Sequence, residues 1–566
     1  MTAQADRRYV LGLDYGTNSV RAVVVSADDG SEIAEAVTEY PSGEAGILLD
    51  PADPNLARQN PADYLDGFFA CTGEAIKQAA KTDPQFDAKR VIGIGVDTTG
   101  STPLPVDREG QPLAVNPRFR NDPAAQAWLW KDHTSYAEAA EITEKAGKLR
   151  PQYLGKCGGV YSSEWFWSKI LHCRRSAPRV FDAAFSWVEA ADFVPAFLTG
   201  SLDPRTMKRG ICPAGHKAMY NDAWGGLPDK EFLAAVDPAL ADLRDRLYDR
   251  ALTSDQPAGK LTREAADKAG LPAGIPVCVG TFDAHAGGVG AGIRPGVLVK
   301  IIGTSTCDMM IAKPDGEVAD VPGLCGIVPG SIVPSYLGLE AGQSAVGDIF
   351  NWFVGQFCRK AYGSDAAAHE ALTKEAAELK PGASGLVALD WNNGNRTILV
   401  DPLLTGLLVG QTLHTRPAEV YRALIEGTAF GALTIINRFE EYGVKVNEIV
   451  NCGGIAEKNP LVMQIYADVT GRPMKISRAS QTCALGAAIY AAVAGGAYAN
   501  VPAAQAKMTG TKPRVFEPKA EAVKTYRQLY EIYQMLHDAF GTRQWQSSLY
   551  EVMKQLIRIR EQSRRS

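Results

Sequence analysis

A chain of 566 residues with a net charge of −5 and a pI near 5.9 has no electrostatic footprint for nucleic acid. Its length exceeds what one hydrophobic core holds and predicts two large domains, while 46% apolar and 22% charged residues are ordinary for a soluble globular protein. Ten cysteines, with neither a Cys-x-x-Cys pair nor a zinc-spaced His/Cys cluster, read as reduced thiols of a cytosolic protein.

Met1–Arg8 is polar and lacks a hydrophobic signal region. The first element is a strand, Val10-Leu11-Gly12-Leu13-Asp14-Tyr15, that runs into the turn Gly16-Thr17-Asn18-Ser19 and returns as Val20–Val25, ending at Asp28-Asp29-Gly30. Val91–Val96 reads as another strand; it ends in the hydroxyl-rich stretch Asp97-Thr98-Thr99-Gly100-Ser101-Thr102, which suits a polar ligand and a plain turn equally. Trp128-Leu129-Trp130-Lys131-Asp132-His133 sets aromatic faces beside charged groups, as a sugar requires, though a helix with buried tryptophans fits as well. Tyr161–Lys169 has the same two readings. Ala214-Gly215-His216-Lys217 puts a lysine after a glycine turn, and a solvated surface lysine is its plain reading. Gly210–Gly215 followed by His216-Lys217 misses the P-loop pattern, and no dinucleotide fingerprint follows a strand.

The centre of the chain repeats the opening. A short strand, Ile275–Gly280, leads through Thr281-Phe282 to Asp283, then to a helix of small residues, Ala284–Gly292. So many glycines cost helix stability and predict a close approach to another backbone. Asp283 either caps this helix or acts as an acid at a strand end, and the two roles are compatible. A second strand, Val297–Ile302, enters Gly303-Thr304-Ser305-Thr306, a turn whose amides and hydroxyls suit an anion. Gly16 and Gly303 stand about half the chain apart, and closing turns follow at Gly30 and at Pro314-Asp315-Gly316. A repeat of this length predicts two similar domains, each opening with a hairpin that faces a shared cleft.

Further on, Leu337–Ser344 places Glu340 and Gln343 between small residues. Ile449–Asn451 leads into Gly453-Gly454 and a helix start, with Asn459 after it, a turn that suits nucleotide approach or simple strand-to-helix connection. Cys483–Ala499, mostly Ala and Gly, falls short of a membrane span and reads as a buried helix beginning near Ala484. Tyr526–Arg565 reads as amphipathic helix with a basic solvated end.

Two facing phosphate hairpins resemble the actin, hexokinase and heat-shock chaperone superfamily. The implied fold is α/β, with two similar ribonuclease H-like domains around an ATP and sugar cleft, residues 1–272 and 273–566. The stretches Gly95–Pro103, Leu129–Thr134, Gly159–Leu171, Ala214–Lys217, Gly303–Asp308 and Gly338–Asp348 resemble the FGGY carbohydrate kinases, and within them the ribulokinase branch. Relatives of xylulokinase type carry Trp-x-Asp-x-Arg, where this chain has Trp130, Asp132 and then Thr134.

That resemblance implies an ATP-dependent, cytoplasmic kinase that phosphorylates L-ribulose at O5 in L-arabinose catabolism, with D-ribulose or a related pentitol as the alternative substrate. It makes Asp283 the catalytic base and a metal neighbour, and Asp14 the Mg²⁺ ligand. Gly16, Thr17 and Asn18, with Gly303, Thr304 and Ser305, would cradle the phosphates; Gly453, Gly454, Asn459 and Ala484 would bound the nucleotide. Gly100, Lys217, Asp283 and Glu340, with Trp130 and Asp132, would line the sugar site. The implied partners are small molecules, with no nucleic acid or membrane, and a homodimer is left open. A chaperone-type ATPase would require a substrate domain for which the chain has no room, and a sugar-sensing regulator a basic helical module that neither end shows.

Overall fold

The computed structural model describes residues 7–314 and 320–565, so Asp315 and Gly316 of the second closing turn lie outside the described residues. Two mixed sheets form its frame. In the first, β1 (Tyr9–Tyr15) pairs antiparallel with β2 (Ser19–Ser26), β2 antiparallel with β3 (Glu32–Glu39), and β1 parallel with β4 (Val91–Thr98). Further along, β5 (Pro276–Cys278) and β6 (Thr281–Phe282) both join β4 in parallel. Every residue of β1 is buried, as expected of a central strand covered on both faces.

The second sheet repeats this plan. Helix α1 (Asp283–Gly290) leads to β7 (Val297–Ile302), which pairs antiparallel with β8 (Thr306–Ala312), and β8 with β9 (Leu337–Ala341). Parallel partners follow on the other side, β10 (Glu448–Cys452) beside β7 and β11 (Met474–Ile476) beside β10. The order β3-β2-β1-β4-β5 therefore matches β9-β8-β7-β10-β11 strand for strand and direction for direction. Each hairpin root, at Gly16 and Gly303, sits between the same two kinds of partner.

Helix α2 (Thr482–Ala494) joins the halves. It comes from the second half of the chain, yet it lies on β1 and β4, which are notched with glycine to admit it. A Cβ on Gly12 would stand 1.9 Å from the Ala484 carbonyl oxygen, and one on Gly95 1.8 Å from that of Ala487. On its other side α2 crosses α1 backbone to backbone: a Cβ on Gly290 would meet the Thr482 oxygen at 2.0 Å, and one on Gly486 the Ala286 oxygen at 1.8 Å. These contacts are the close approach predicted from the glycine-rich segment. One apolar layer runs through the crossing, from Val10 and Val23 of the first sheet past Leu485 and Ile489 to Val299 and Met309 of the second. Each fully buried aliphatic side chain of this size contributes about 1.5–3 kcal/mol.

One expectation needs correction: the first sheet takes in β5 and β6, beyond the boundary expected at residue 272, because the strand end at Phe282 pairs with Thr98. The terminal stretch is helical, as two helices, Ala520–Gly541 and Val552–Arg565. Among the described residues, no helix is long and apolar enough to cross a membrane.

Candidate active site

Strand register brings three acids together. Asp14 of β1 is the parallel partner of Asp97 of β4, and Asp97 in turn faces Thr281, two residues before Asp283. All three thus lie at the carboxyl ends of adjacent parallel strands, where open α/β sheets expose ligand sites. Asp14 accepts a 2.7 Å hydrogen bond from Arg21, its cross-strand neighbour on β2. Asp97 is wholly buried, and among the described residues its oxygens receive no hydrogen bond from an amide, hydroxyl or cationic group; their polar neighbour is the Asp14 carboxyl. Burial, then the charges of Asp14 and Asp283, pushes its carboxyl well above the usual range. Asp283 is pushed up to about 7, first by burial and then by Asp14. Asp283 opens α1, but its own Oδ1 takes only the next amide, Ala284 N–H, at 2.6 Å.

Beside Asp283 the two halves meet through a charged pair. Lys217 Nζ donates to both oxygens of Glu340, at 2.8 and 3.1 Å, and both side chains are buried. Burial alone would keep Glu340 neutral, but the Lys217 ammonium holds its carboxyl well below the usual range. The lysine is therefore no surface residue. Its position is set from both sides: Tyr161 donates its hydroxyl to the Lys217 carbonyl at 2.6 Å, and the Trp165 ring lies 5.2 Å from Nζ. Gly215 is required because a Cβ there would stand 2.2 Å from Val328 of the second half, and Gly326 because one there would meet the His216 ring at 2.0 Å. His216 and His285, with rings 4.4 Å apart, also approach Glu340, at 3.3 and 3.6 Å. Burial, then Lys217, holds His285 down, to about 4; burial, then His285, holds His216 well below its ordinary value. The trio has the spacing of a cation site, but the ammonium already occupies both Glu340 oxygens, and we assign no metal there.

Gly100 touches this centre directly, since a Cβ on it would overlap the Phe282 ring at 1.9 Å. The loop after Asp97 is held from behind. Glu189 accepts from the Ser101 hydroxyl and from Thr102 N–H at 2.7 Å, and Lys169 Nζ donates to the carbonyls of Ser101 and Leu129, each at 2.8 Å. Burial pushes Lys169 down and Glu189 up, so both exist at a cost that the fold accepts in order to fix this loop.

The aromatic stretches mostly serve as scaffold. Trp128, Trp165 and Trp167 are buried; Trp130 is half-buried and donates its indole N–H to the Thr17 hydroxyl at 3.0 Å. Asp132 is fully buried and pairs with Arg58, while accepting from Ala57 N–H and Thr134. Its oxygens are engaged by these partners, so Asp132 ties the wall together.

The hairpin tips flank the acids. Gly16 N–H bonds to the Ser19 carbonyl and Gly303 N–H to that of Ser305, both at 2.9 Å, and Asn18 donates to the Ala45 carbonyl at 2.6 Å. Gly303 and Thr304 are exposed, with their carbonyls held by the amides of Gly347 and Val346. Cys483 of α2 packs at α1, where a Cβ on Gly287 would stand 3.2 Å from its sulfur and from Ile301 of β7. The Gly453-Gly454 turn lies over the end of β7, a Cβ on Gly453 meeting the Ile302 oxygen at 2.5 Å, so both nucleotide candidates adjoin. Asn459 caps the next helix through Val462 N–H at 3.2 Å. Ala484 is fully buried, its carbonyl packed against Gly12 at the start of α2.

Sequence reasoning assigns no role to Asp97, Glu189, Lys169, His216, His285 or Gly347. The in-register pairing of Asp14 with Asp97 is the available signal for the first; the others are brought in only by tertiary contacts.

Comparison with known proteins fits this geometry. The profile of the N-terminal domain of the FGGY family of carbohydrate kinases matches residues 9–290, and that of the C-terminal domain residues 298–495. The chain belongs to the FGGY family of carbohydrate kinases. It is an ATP-dependent sugar kinase. Relatives include a protein named ribulokinase from Shouchella clausii, 43% identical with 99% of each chain covered. Another of that name, from Vibrio parahaemolyticus, is 44% identical over 93% of the kinase and 96% of the relative. Among solved structures, a xylulose kinase from Rhodospirillum rubrum superposes with a TM-score of 0.75 at 24% identity, over 94% of the kinase and 99% of that chain. A Plasmodium falciparum glycerol kinase with ADP gives 0.75 at 16% identity, over 96% and 99%. These two share the fold.

Proposed function

We propose that the kinase transfers the γ-phosphoryl group of ATP to O5 of L-ribulose, giving L-ribulose 5-phosphate and ADP. The relatives named ribulokinase support the sugar, and Asp283 supports the chemistry. It is a carboxyl at a strand end, pushed up to about 7, beside a buried Lys217–Glu340 pair whose members come from opposite halves. Such a group takes a proton from a sugar hydroxyl near neutral pH.

Lys217 and Glu340 offer a fixed donor and acceptor to the sugar hydroxyls, and Gly100, packed on the Phe282 ring, brings its loop close to them. Thr17 and Asn18, with Thr304 and Ser305, line the phosphates, and Gly453 and Gly454 bound the nucleotide beyond them. We further propose that the halves part between α1 and β7 and close over the sugar, keeping water from the γ-phosphate.

Asp14 and Asp97, with Asp283 near them, form an all-oxygen donor set; the buried Asp97 oxygens take no amide, hydroxyl or cationic donor among the described residues and suit a hard divalent cation such as Mg²⁺. When bound, that cation neutralises charge on the transferring phosphoryl group. Arg21 steers the Asp14 carboxylate, and the hydroxyl proton moves to Asp283.

The test is ADP release over a panel of pentuloses and pentitols. Turnover should depend on a ketopentose and be fastest with L-ribulose. A preference for D-ribulose would overturn the stereochemical assignment, and ADP release independent of any sugar would sink the reading.

A further inference from the structure

Arg396 is a cation of the second half whose side chain reaches across to the first. Its loop is tied to the strand bearing Glu340: Thr397 accepts Gly342 N–H at 2.8 Å, and Ile398 N–H bonds to the Gly323 carbonyl at 3.0 Å. Its one hydrogen bond among the described residues goes across the halves, to Glu164 at 3.3 Å. A guanidinium has five donors in a planar fork, so most of its capacity is unused. The group lies 6.0 Å from the Trp130 ring, whose indole holds Thr17 of the first hairpin. Arg396 thus stands where the halves meet, between Glu164 and the ring that holds the first hairpin.

We propose that the Arg396 guanidinium contacts the phosphoryl group during transfer and the phosphate of the sugar product, with Glu164 as its resting partner. This presupposes that the ketopentose lies between Lys217, Glu340 and Asp283. A neutral hydroxyl would not draw the guanidinium from a carboxylate, whereas a phosphate takes it in paired, charge-assisted bonds. In the transfer, the bond from the sugar oxygen to phosphorus forms and that from phosphorus to the β–γ bridging oxygen breaks. ADP leaves, the hydroxyl proton goes to Asp283, and Arg396 keeps its own protons throughout. It supplies charge where the equatorial oxygens pass.

Calorimetric titration with L-ribulose and with L-ribulose 5-phosphate tests this on the wild type, Arg396→Ala, Arg396→Lys and Glu164→Gln. Arg396→Ala should weaken the phosphorylated sugar about 10- to 100-fold, while L-ribulose itself changes by less than about 3-fold. Arg396→Lys, a charge without the fork, should fall between, and Glu164→Gln should tighten the phosphorylated sugar. If Arg396→Ala moved both sugars equally, or Glu164→Gln weakened the phosphorylated form, the pair would be only a tie between halves and the proposal would fall. Should Arg396→Ala not fold, the opposite signs expected for Arg396→Lys and Glu164→Gln decide. A wild type that binds no ketopentose would instead overturn the sugar site on which the proposal rests.

Discussion

Lys217 and Glu340 hold each other across the cleft, with Nζ 2.8 and 3.1 Å from the two carboxylate oxygens, although they belong to different halves of the chain. A buried ion pair of this kind adds little net stability, because desolvation offsets its attraction. Its value lies in presenting a charged donor and a charged acceptor in fixed positions beside Asp283.

Lys217→Ala should therefore raise the KM for the sugar far more than that for ATP. Each sugar hydroxyl left facing an unsatisfied buried partner costs ~1–3 kcal/mol. Steady-state kinetics with both substrates varied is the check. Equal changes in the two constants would assign the lysine to structure or to phosphate.

Asp97→Asn should lower activity yet stabilise the protein when no cation is present. A carboxyl whose folded pKa is raised stabilises the fold while protonated and loses that contribution as pH rises through the folded value. Asp97 is raised by burial first, then by its acidic neighbours, so its charge is destabilising at pH 8. Removing it should add on the order of 1–3 kcal/mol there and little at pH 4. Thermal unfolding at both pH values, with and without Mg²⁺, measures this. Mg²⁺ should raise the Tm of the wild type more than that of Asp97→Asn.

The pH dependence of kcat/KM should show an acidic limb near 7. Asp283 acts as a base only when ionised, and burial followed by the charge of Asp14 holds its carboxyl up to about 7. Below that pH the rate should fall about tenfold per unit. Asp14→Asn removes the largest of the charges that raise it and should move the limb to lower pH, whatever it does to the rate. An acidic limb that stayed in place would show that Asp14 does not act on Asp283.

Gly486→Ala tests the helix crossing. The new Cβ would stand 1.8 Å from the Ala286 carbonyl oxygen, a contact that only backbone movement relieves. A cost of ~1–3 kcal/mol or more is expected, with Asp283 displaced along with its helix. Unfolding and sugar affinity should both suffer, and a variant indistinguishable from wild type would contradict the close crossing.

Much of the frame is legible in the amino-acid order. The Gly16 and Gly303 turns report the repeat, and it is met strand for strand because hairpins, apolar runs and glycine turns are local signals. Asp283, Lys217 and Glu340 are legible through motifs, and the fold brings all three together. What sequence does not supply is direction. Asp132 and Ala484 sit in suggestive motifs, but Arg58 takes one and the Gly12 notch takes the other, and both partners come from distant sequence. Arg396 lies in no motif, and Lys169 only ends the aromatic stretch from Tyr161; tertiary contact gives both their meaning.

The central claim is that Asp283 takes the proton from the sugar hydroxyl, and the most direct measurement is kcat for Asp283→Asn with saturating ketopentose and ATP. Asn keeps the size and the helix-opening position, so folding and sugar binding should persist, a lost cap costing at most ~1 kcal/mol. The account predicts a fall in kcat of ~10²–10⁴-fold that raised Mg²⁺ does not restore, with an unchanged Tm or a higher one. Turnover near the wild-type rate, or a loss explained wholly by unfolding, would contradict it.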